Sequence, residues 1–357
     1  MDKTSISKIV KASGVSAGEL VLVHFWGEDE NKQIANDFLA AVAGLGATPV
    51  LLQQSRSVNR DIFLAAGESC FGQRYFELFT RFDAVLDVFA YRPVVLGYEI
   101  GEEQFALYRR YMAQLFGKLM ECKRFAQIRI PTAANAEGSG LDPQEYIRRM
   151  ESAYDIDYAA VAEACKREQE RFAGVKSVVL RTGEGCALSF DLTGREWHID
   201  AGDGDLPCGE IYIAPLEDRT QGAVYFETFY LNGVKYGQVR LEIEGGRVVR
   251  SNRAEITAFF EKQPPENRVV CELGFGMNPN VTDLCGVPVL DEKMCGTFHI
   301  AVGANQMFGG ANEASAHIDF VGHGTVDREG IFEETGMPDR QVRRVDRRFP
   351  DTRRETI

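Results

Sequence analysis

LVLVHFWGEDENKQIANDFLAAVAGLGATPVLL, residues 20–52, reads as strand, helix and strand in quick succession. LVLVHF (Leu20 to Phe25) is a continuous apolar run of strand length, the pattern of a strand buried on both faces. NKQIANDFLAAVAGLG then sets apolar residues at helical spacing and closes on Gly46, and ATPVLL returns to strand. The alternation continues outward. AVLDVFA, around Val85 to Ala90, is a third strand, EEQFALYRRYMAQLFGKLM a helix, and AQIRI a fourth strand. This repetition with short connections predicts a parallel, helix-covered α/β sheet as an N-terminal domain over 1–143. The turn after the first strand, FWGEDEN, has no glycine fingerprint and carries three acids, which would repel a dinucleotide phosphate.

Further along, DPQEYIRRMESAYDIDYAAVAEACKREQERF is charged and alanine-rich. It reads as a connecting helix over 144–174, with Asp142 as N-cap and Pro143 at the first helical position. After Gly174 the texture becomes short alternating runs: SVVLRT, ALSFDLT, EIYIAP, AVYFETF and VRLEIEGGRVVR, the last with Gly-Gly at a hairpin turn. These predict a mostly antiparallel, β-rich domain over 175–357, so the expected class is α/β plus α+β. The polar tail DRQVRRVDRRFPDTRRETI reads as a surface strap, or as an arm that meets an acidic partner subunit.

With 357 residues, 45% of them hydrophobic, the chain can fill two cores. Its net charge of -13, from 40 basic and 53 acidic residues, opposes binding to nucleic acid and to anionic lipid. No apolar stretch reaches the length of a membrane span, and the N-terminus lacks the apolar core of a signal peptide. Eight cysteines are scattered with no CxxC pair, the pattern of reduced thiols. The expectation is a cytoplasmic protein.

Of five histidines, His299, His317 and His323 fall in the last fifth of the chain, among glycine-rich segments. In Ala316-His317-Ile318-Asp319 the His and Asp are two apart, a spacing that puts both on one face of a strand. Imidazole and carboxylate together suit zinc, manganese, cobalt or ferrous iron. Glu210 opens the run after LPCG, and Glu272 lies at the start of CELGFG. Taken singly, each has a plainer reading: His299 as a hydrogen-bonded core histidine, Glu210 and Glu272 as partners of arginine or caps of turns. His24 and His198 read as structural, and His323 stays open between structural and supporting roles. Co-occurrence in four segments favours a metal site.

LPCGEIYIAPLED, CELGFGMNPNV, LDEKMCGTFHIAVGAN and GGANEASAHIDF together resemble the thermophilic aminopeptidase family of metallopeptidases, typified by aminopeptidases T and S. IRIPTAANAEGSGLDPQEY is similar to the segment between that family's halves. The resemblance implies a dimeric hydrolase of small peptides, with two divalent ions held by Glu210, Glu272, His299, His317 and Asp319. Glu210 is implied as a ligand or as the general base. The family's peptidases carry a Tyr seven residues after the first His; here that place is Gln306, a candidate substrate contact, and no Tyr follows Tyr236. An amide can donate a hydrogen bond but cannot supply a phenolate. The same fold family includes 2,5-dihydroxypyridine dioxygenase and a hydrolase that removes an amino group from a nitroaromatic ring. A hydrolase or iron dioxygenase acting on a small aromatic or heterocyclic compound is therefore the alternative. A binding module with a decayed metal site is the third reading.

Overall fold

In the computed structural model, which describes residues 1–92, 96 and 100–328 and the strand Ile331–Glu334, three sheets share the chain. The polar tail from residue 339 lies outside the described residues.

The first sheet is parallel and runs Thr48–Gln54, Leu20–Trp26, Ala84–Phe89, Arg124–Arg129 and then Asp205–Leu206. Its central strands are buried because helices cover them. Lys3–Ala12, Lys32–Gly44, Arg56–Ala65 and Glu102–Leu119 accompany the sheet, and the second of these ends before Gly46, which takes φ +80°. Side-chain caps start two of the four: Asp2 accepts from Ser5 N and Ser55 from Val58 N. Sequence periodicity had shown neither of those two helices. The acidic turn after the first strand also finds a structural use. Glu28 accepts from Arg56 N at 2.7 Å and Ser57 Oγ at 2.6 Å, so it anchors the start of the Arg56–Ala65 helix.

The charged stretch expected as one connecting helix is two, Pro143–Tyr154 and Tyr158–Arg171. Asp142 caps the first, with Pro143 at its start, and Asp157 caps a second helix by accepting from Ala159 N and Ala160 N. Asp157 takes backbone donors that a continuous helix would use, so the chain turns between Tyr154 and Tyr158.

Two antiparallel sheets follow. The larger is ordered Arg247–Ser251, Val234–Glu244, Gln221–Leu231, Ala187–Asp191, Ser177–Arg181, Thr325–Arg328 and Ile331–Glu334. The smaller is ordered His317–Gly322, Phe298–Gly303, Val270–Gly276, Glu210–Ile213 and His198–Asp200. Alternate residues of the smaller sheet go to opposite faces. One face sends Phe298 and Phe320 against Phe226 and Phe229 of the larger sheet, the Phe229–Phe320 rings stacking at 4.6 Å. The other face carries the candidate ligands.

The short strand Asp205–Leu206 ties the two halves together. Gln127 N donates to Gly204 O at 2.9 Å, and Arg129 pairs with Asp205 at 3.0 Å. A second tie is Asn278, fully buried, whose Nδ2 donates to Ala153 O at 3.0 Å and Cys208 O at 2.8 Å. Asn278→Ala is expected to lower unfolding stability by about 2 kcal/mol, because two buried carbonyls lose their donor. Urea denaturation checks this; an unchanged midpoint would mean that neither bond contributes.

Candidate metal centre

Strand register brings distant residues onto one face of the smaller sheet. Across it, Glu272 faces Ala301 and Ala301 faces Asp319; Gly274 faces His299; Gly303 faces His317; and Gly276 faces Glu210. Large polar side chains thus alternate with glycine and alanine on the same surface. The small residues make room. A Cβ added at Gly274 would run into the His299 imidazole, with Nε2 its nearest atom. Gly274 therefore allows His299 to lie across the neighbouring strand.

Glu272, His317 and Asp319 each offer a ligand atom, and the three atoms lie within 4.8 Å of one another. His317 Nε2 is 3.4 Å from Glu272 Oε2 and 3.4 Å from Asp319 Oδ1. Donors about 2.1 Å from a tetrahedral ion stand roughly 3.4 Å apart, so these separations fit one ion without rearrangement. His317 Nδ1 lies 2.9 Å from Ala304 O, a contact that turns Nε2 toward the carboxylates. His299 is fully buried, with Nε2 at 3.1 Å from Glu272 Oε1 and 3.5 Å from Glu210 Oε2. The cluster opens to solvent at His317, the most exposed of the set.

Electrostatics match an ion-binding site that holds protons when no metal is present. Burial alone would lower the His299 pKa, but the Glu272 and Glu210 carboxylates outweigh it and push the value up to about 9. His317 shifts upward for the same reason, through Asp319 and Glu272 against burial. Burial would raise Asp319, and contact with His317 lowers it overall. Metal binding must displace these protons. Cys271, 3.8 Å from His317 Nδ1, is pushed up to about 11 by burial, which makes it a poor nucleophile.

The five expected ligands are thus on one face, in two groups. Glu272, His317 and Asp319 converge; His299 bridges from Glu272 toward Glu210; and Glu210 is turned to a cation. Lys293, 1% exposed, donates to Glu210 Oε1 and lies 3.0 Å from Glu292 Oε1 and 3.5 Å from Asp200 Oδ2. Burial pushes Asp200, Glu210 and Glu292 up to about 7 each, with Lys293 pulling the other way. Gln306 stands elsewhere: it is exposed, in the short turn Gln306–Phe308, and donates to Glu313 Oε1 at 2.9 Å. From that turn it is Phe308 that reaches the centre, edge-on to His317 at 6.1 Å and to Tyr212 at 5.4 Å. His24 is a core residue beside Asp87, and His323 is exposed beyond the last strand of the sheet.

Sequence reasoning missed Asp200, Glu292, Lys293 and Tyr212. One signal was available for Asp200. The tripeptide His-Ile-Asp occurs at 198–200 as well as at 317–319, and the two copies form the opposite outer strands of this sheet. Nothing in VLDEKMCG marks Lys293 as buried.

Comparison with known proteins fits this geometry. Residues 14–334 match the family described as Thermophilic metalloprotease (M29). A sequence search of curated proteins finds no match. Wild-type AmpT from Thermus thermophilus is similar in structure at TM-score 0.65 and 18% identity, over 93% of this chain and 97% of that one. 2,5-Dihydroxypyridine dioxygenase from Pseudomonas putida KT2440 is similar at TM-score 0.64 and 14% identity, over 92% and 94%. At these identities the likeness concerns the fold.

Proposed function

This chain belongs to the thermophilic metalloprotease family, and from that premise we propose that it is an aminopeptidase releasing N-terminal residues from short peptides. The convergence of Glu272, His317 and Asp319 carries the proposal. These three hold a divalent ion, zinc, cobalt or manganese by the mix of nitrogen and oxygen donors. An ion bound there supplies a Lewis acid that acidifies water and polarises a carbonyl. A second ion, expected from the five-residue set, would need Glu210 and His299 as well as Glu272.

Glu210 is the general base. Its Oε2 is buried and makes no hydrogen bond, its charged neighbour being His299 Nε2 at 3.5 Å, which leaves it able to accept a proton from water on the ligand face. Burial has moved its pKa to about 7, where a base works best near neutral pH. His299, held between Glu210 and Glu272, fixes the separation of base and ligand group. Phe308 stands on the rim by His317, and for the amide of Gln306 to meet the substrate it would have to leave Glu313 and turn inward. A cavity of about 260 Å³, lined by Asp319, Tyr230 and Arg92 among others, is of a size for one or two residues. No helix is long and apolar enough to cross a membrane among the described residues. A cytoplasmic homodimer, with 1–143, 144–174 and 175–357 as its α/β, connecting and metal-binding parts, completes the proposal.

Dialysis against a chelator should abolish hydrolysis of unblocked dipeptides and aminoacyl amides, and zinc, cobalt or manganese should restore it. N-acetylated substrates should not be cut. Metal-loaded protein inert to a broad panel of such substrates would refute the peptidase reading. Gln306 in place of a phenol favours the second reading, attack on a small aromatic or heterocyclic compound. One ferrous ion per chain with oxygen consumption would identify that chemistry as ring cleavage.

A further inference from the structure

The cavity of about 260 Å³ beside the ligand group is shared by both halves of the chain: Arg92 comes from the first, and Tyr230, Asp291, Asp319 and Val321 from the second. Its place follows from the fold. Arg92 lies three residues past the strand Ala84–Phe89. In chain order the first four strands of the parallel sheet run 2-1-3-4, so the order reverses beside that strand. Open α/β sheets bind ligands outside the carboxyl ends of their strands at such a reversal. The opposing element is His317–Gly322, the outer strand of the smaller sheet. Ala304 N donates to Ala316 O at 2.8 Å, and the unbroken register from there pairs Val302 with Ile318 and Ile300 with Phe320. Alternate residues of an antiparallel ladder bond to the neighbour, so the main-chain N–H and C=O of Asp319 and Val321 point to the open edge. Asp319 therefore belongs to two places. Its carboxylate joins the ligand group, and its main chain borders the cavity.

Charge selects the occupant. Arg92 is exposed, and it is the one basic residue among the described residues that line the cavity. Among the described residues it makes no ion pair. Asp291, in the same cavity, spends Oδ1 on Cys285 N at 2.8 Å and Oδ2 on Gly286 N at 2.7 Å. Lys293, by contrast, is taken up by Glu210, Glu292 and Asp200. The guanidinium can thus fork onto a planar carboxylate. A peptide whose scissile carbonyl lies at the ligand group carries its terminal carboxylate onward by about 3.5 Å per residue. We propose that this cavity is the subsite for the leaving part of the substrate, with Arg92 binding the C-terminal carboxylate of a di- or tripeptide and the edge of Asp319 and Val321 pairing with its main chain. The proposal rests on the aminopeptidase reading and narrows its substrate class to very short peptides with a free C-terminus. Arg92 is a specificity residue, and the ligand group does not depend on it.

Paired substrates test this. Full-length, metal-loaded protein is given leucyl-glycine and leucyl-glycine amide, and kcat and KM are measured for each. Wild-type protein is expected to show a KM about tenfold or more lower for the free acid, the effect of a hydrogen bond to a charged group. Arg92→Ala should lose that preference by raising KM for the acid, with kcat, metal content and the kinetics on the amide unchanged, the pattern of a lost ground-state contact. Arg92→Lys should keep part of it. The comparison within wild-type protein stands whether or not a variant folds. Equal KM values for acid and amide in the wild type, or an Arg92→Ala variant that slows both substrates alike, would overturn the subsite and leave the aminopeptidase reading in place. Metal-loaded wild-type protein that cuts neither substrate, nor any other unblocked peptide, would refute that reading, and the subsite would fall with it.

Discussion

Glu272→Ala is expected to remove both the bound metal and the hydrolytic activity, with a rate loss of roughly a thousandfold or more. Glu272 belongs to both halves of the cluster: Oε2 is 3.4 Å from His317 Nε2, and Oε1 is 3.1 Å from His299 Nε2. Its loss leaves His317 and Asp319 as two donors where three converge, and leaves the buried His299 imidazole with only the more distant Glu210, at 3.5 Å. An ion contributes several kcal/mol of charge stabilisation, and each 1.36 kcal/mol is tenfold in rate. Metal analysis and kinetics on the same preparation check both parts. A variant that keeps a full complement of metal would show that Glu272 is not a ligand.

Gly274→Ala should be nearly as damaging, although it adds a single methyl group. The new Cβ would collide with the His299 ring, which is fully buried. The backbone at Gly274 is ordinary extended strand, so the penalty is one of space. Overpacking of this kind costs about 1–3 kcal/mol of stability, and here it also displaces a group of the metal centre. A double-mutant cycle isolates the cause. In a His299→Ala background the ring is gone, and the added methyl should then cost little. An equal penalty in both backgrounds would place the strain elsewhere.

Much of this fold could be read in the residues, because buried parallel strands such as Leu20–Trp26 are unbroken apolar runs and surface strands such as Ser177–Arg181 alternate. The short Asp205–Leu206 strand could not. Two residues carry no periodicity, and its pairing is decided by tertiary contact with Gln127 and Ile128. The helices Lys3–Ala12 and Arg56–Ala65 escaped notice because their polar caps and charged faces resemble loop composition. At the centre, His317 and Asp319 were legible as a strand-spaced pair, and Glu210 and Glu272 as acids opening strand-like runs that the family resemblance joined to them. Lys293 was not, since its burial depends on three acids from separate segments, two of which, Asp200 and Glu210, lie far from it in the sequence. Gln306 was singled out by its offset from His299, yet the turn swings its amide outward and sends Phe308 inward.

The late-arriving strand Asp205–Leu206 also bears on how the protein is made. Four strands of the first sheet lie within residues 20–129, but the fifth is synthesised some seventy-five residues after its neighbour Arg124–Arg129. Until then that neighbour has an open edge, able to pair with any extended chain nearby. The nascent N-terminal half therefore leaves the ribosome with an unprotected side, and sealing it awaits the passage of both connecting helices. Conditions that slow translation between residues 130 and 206 should lengthen this exposure and favour aggregation over assembly, while leaving the stability of the finished enzyme unchanged.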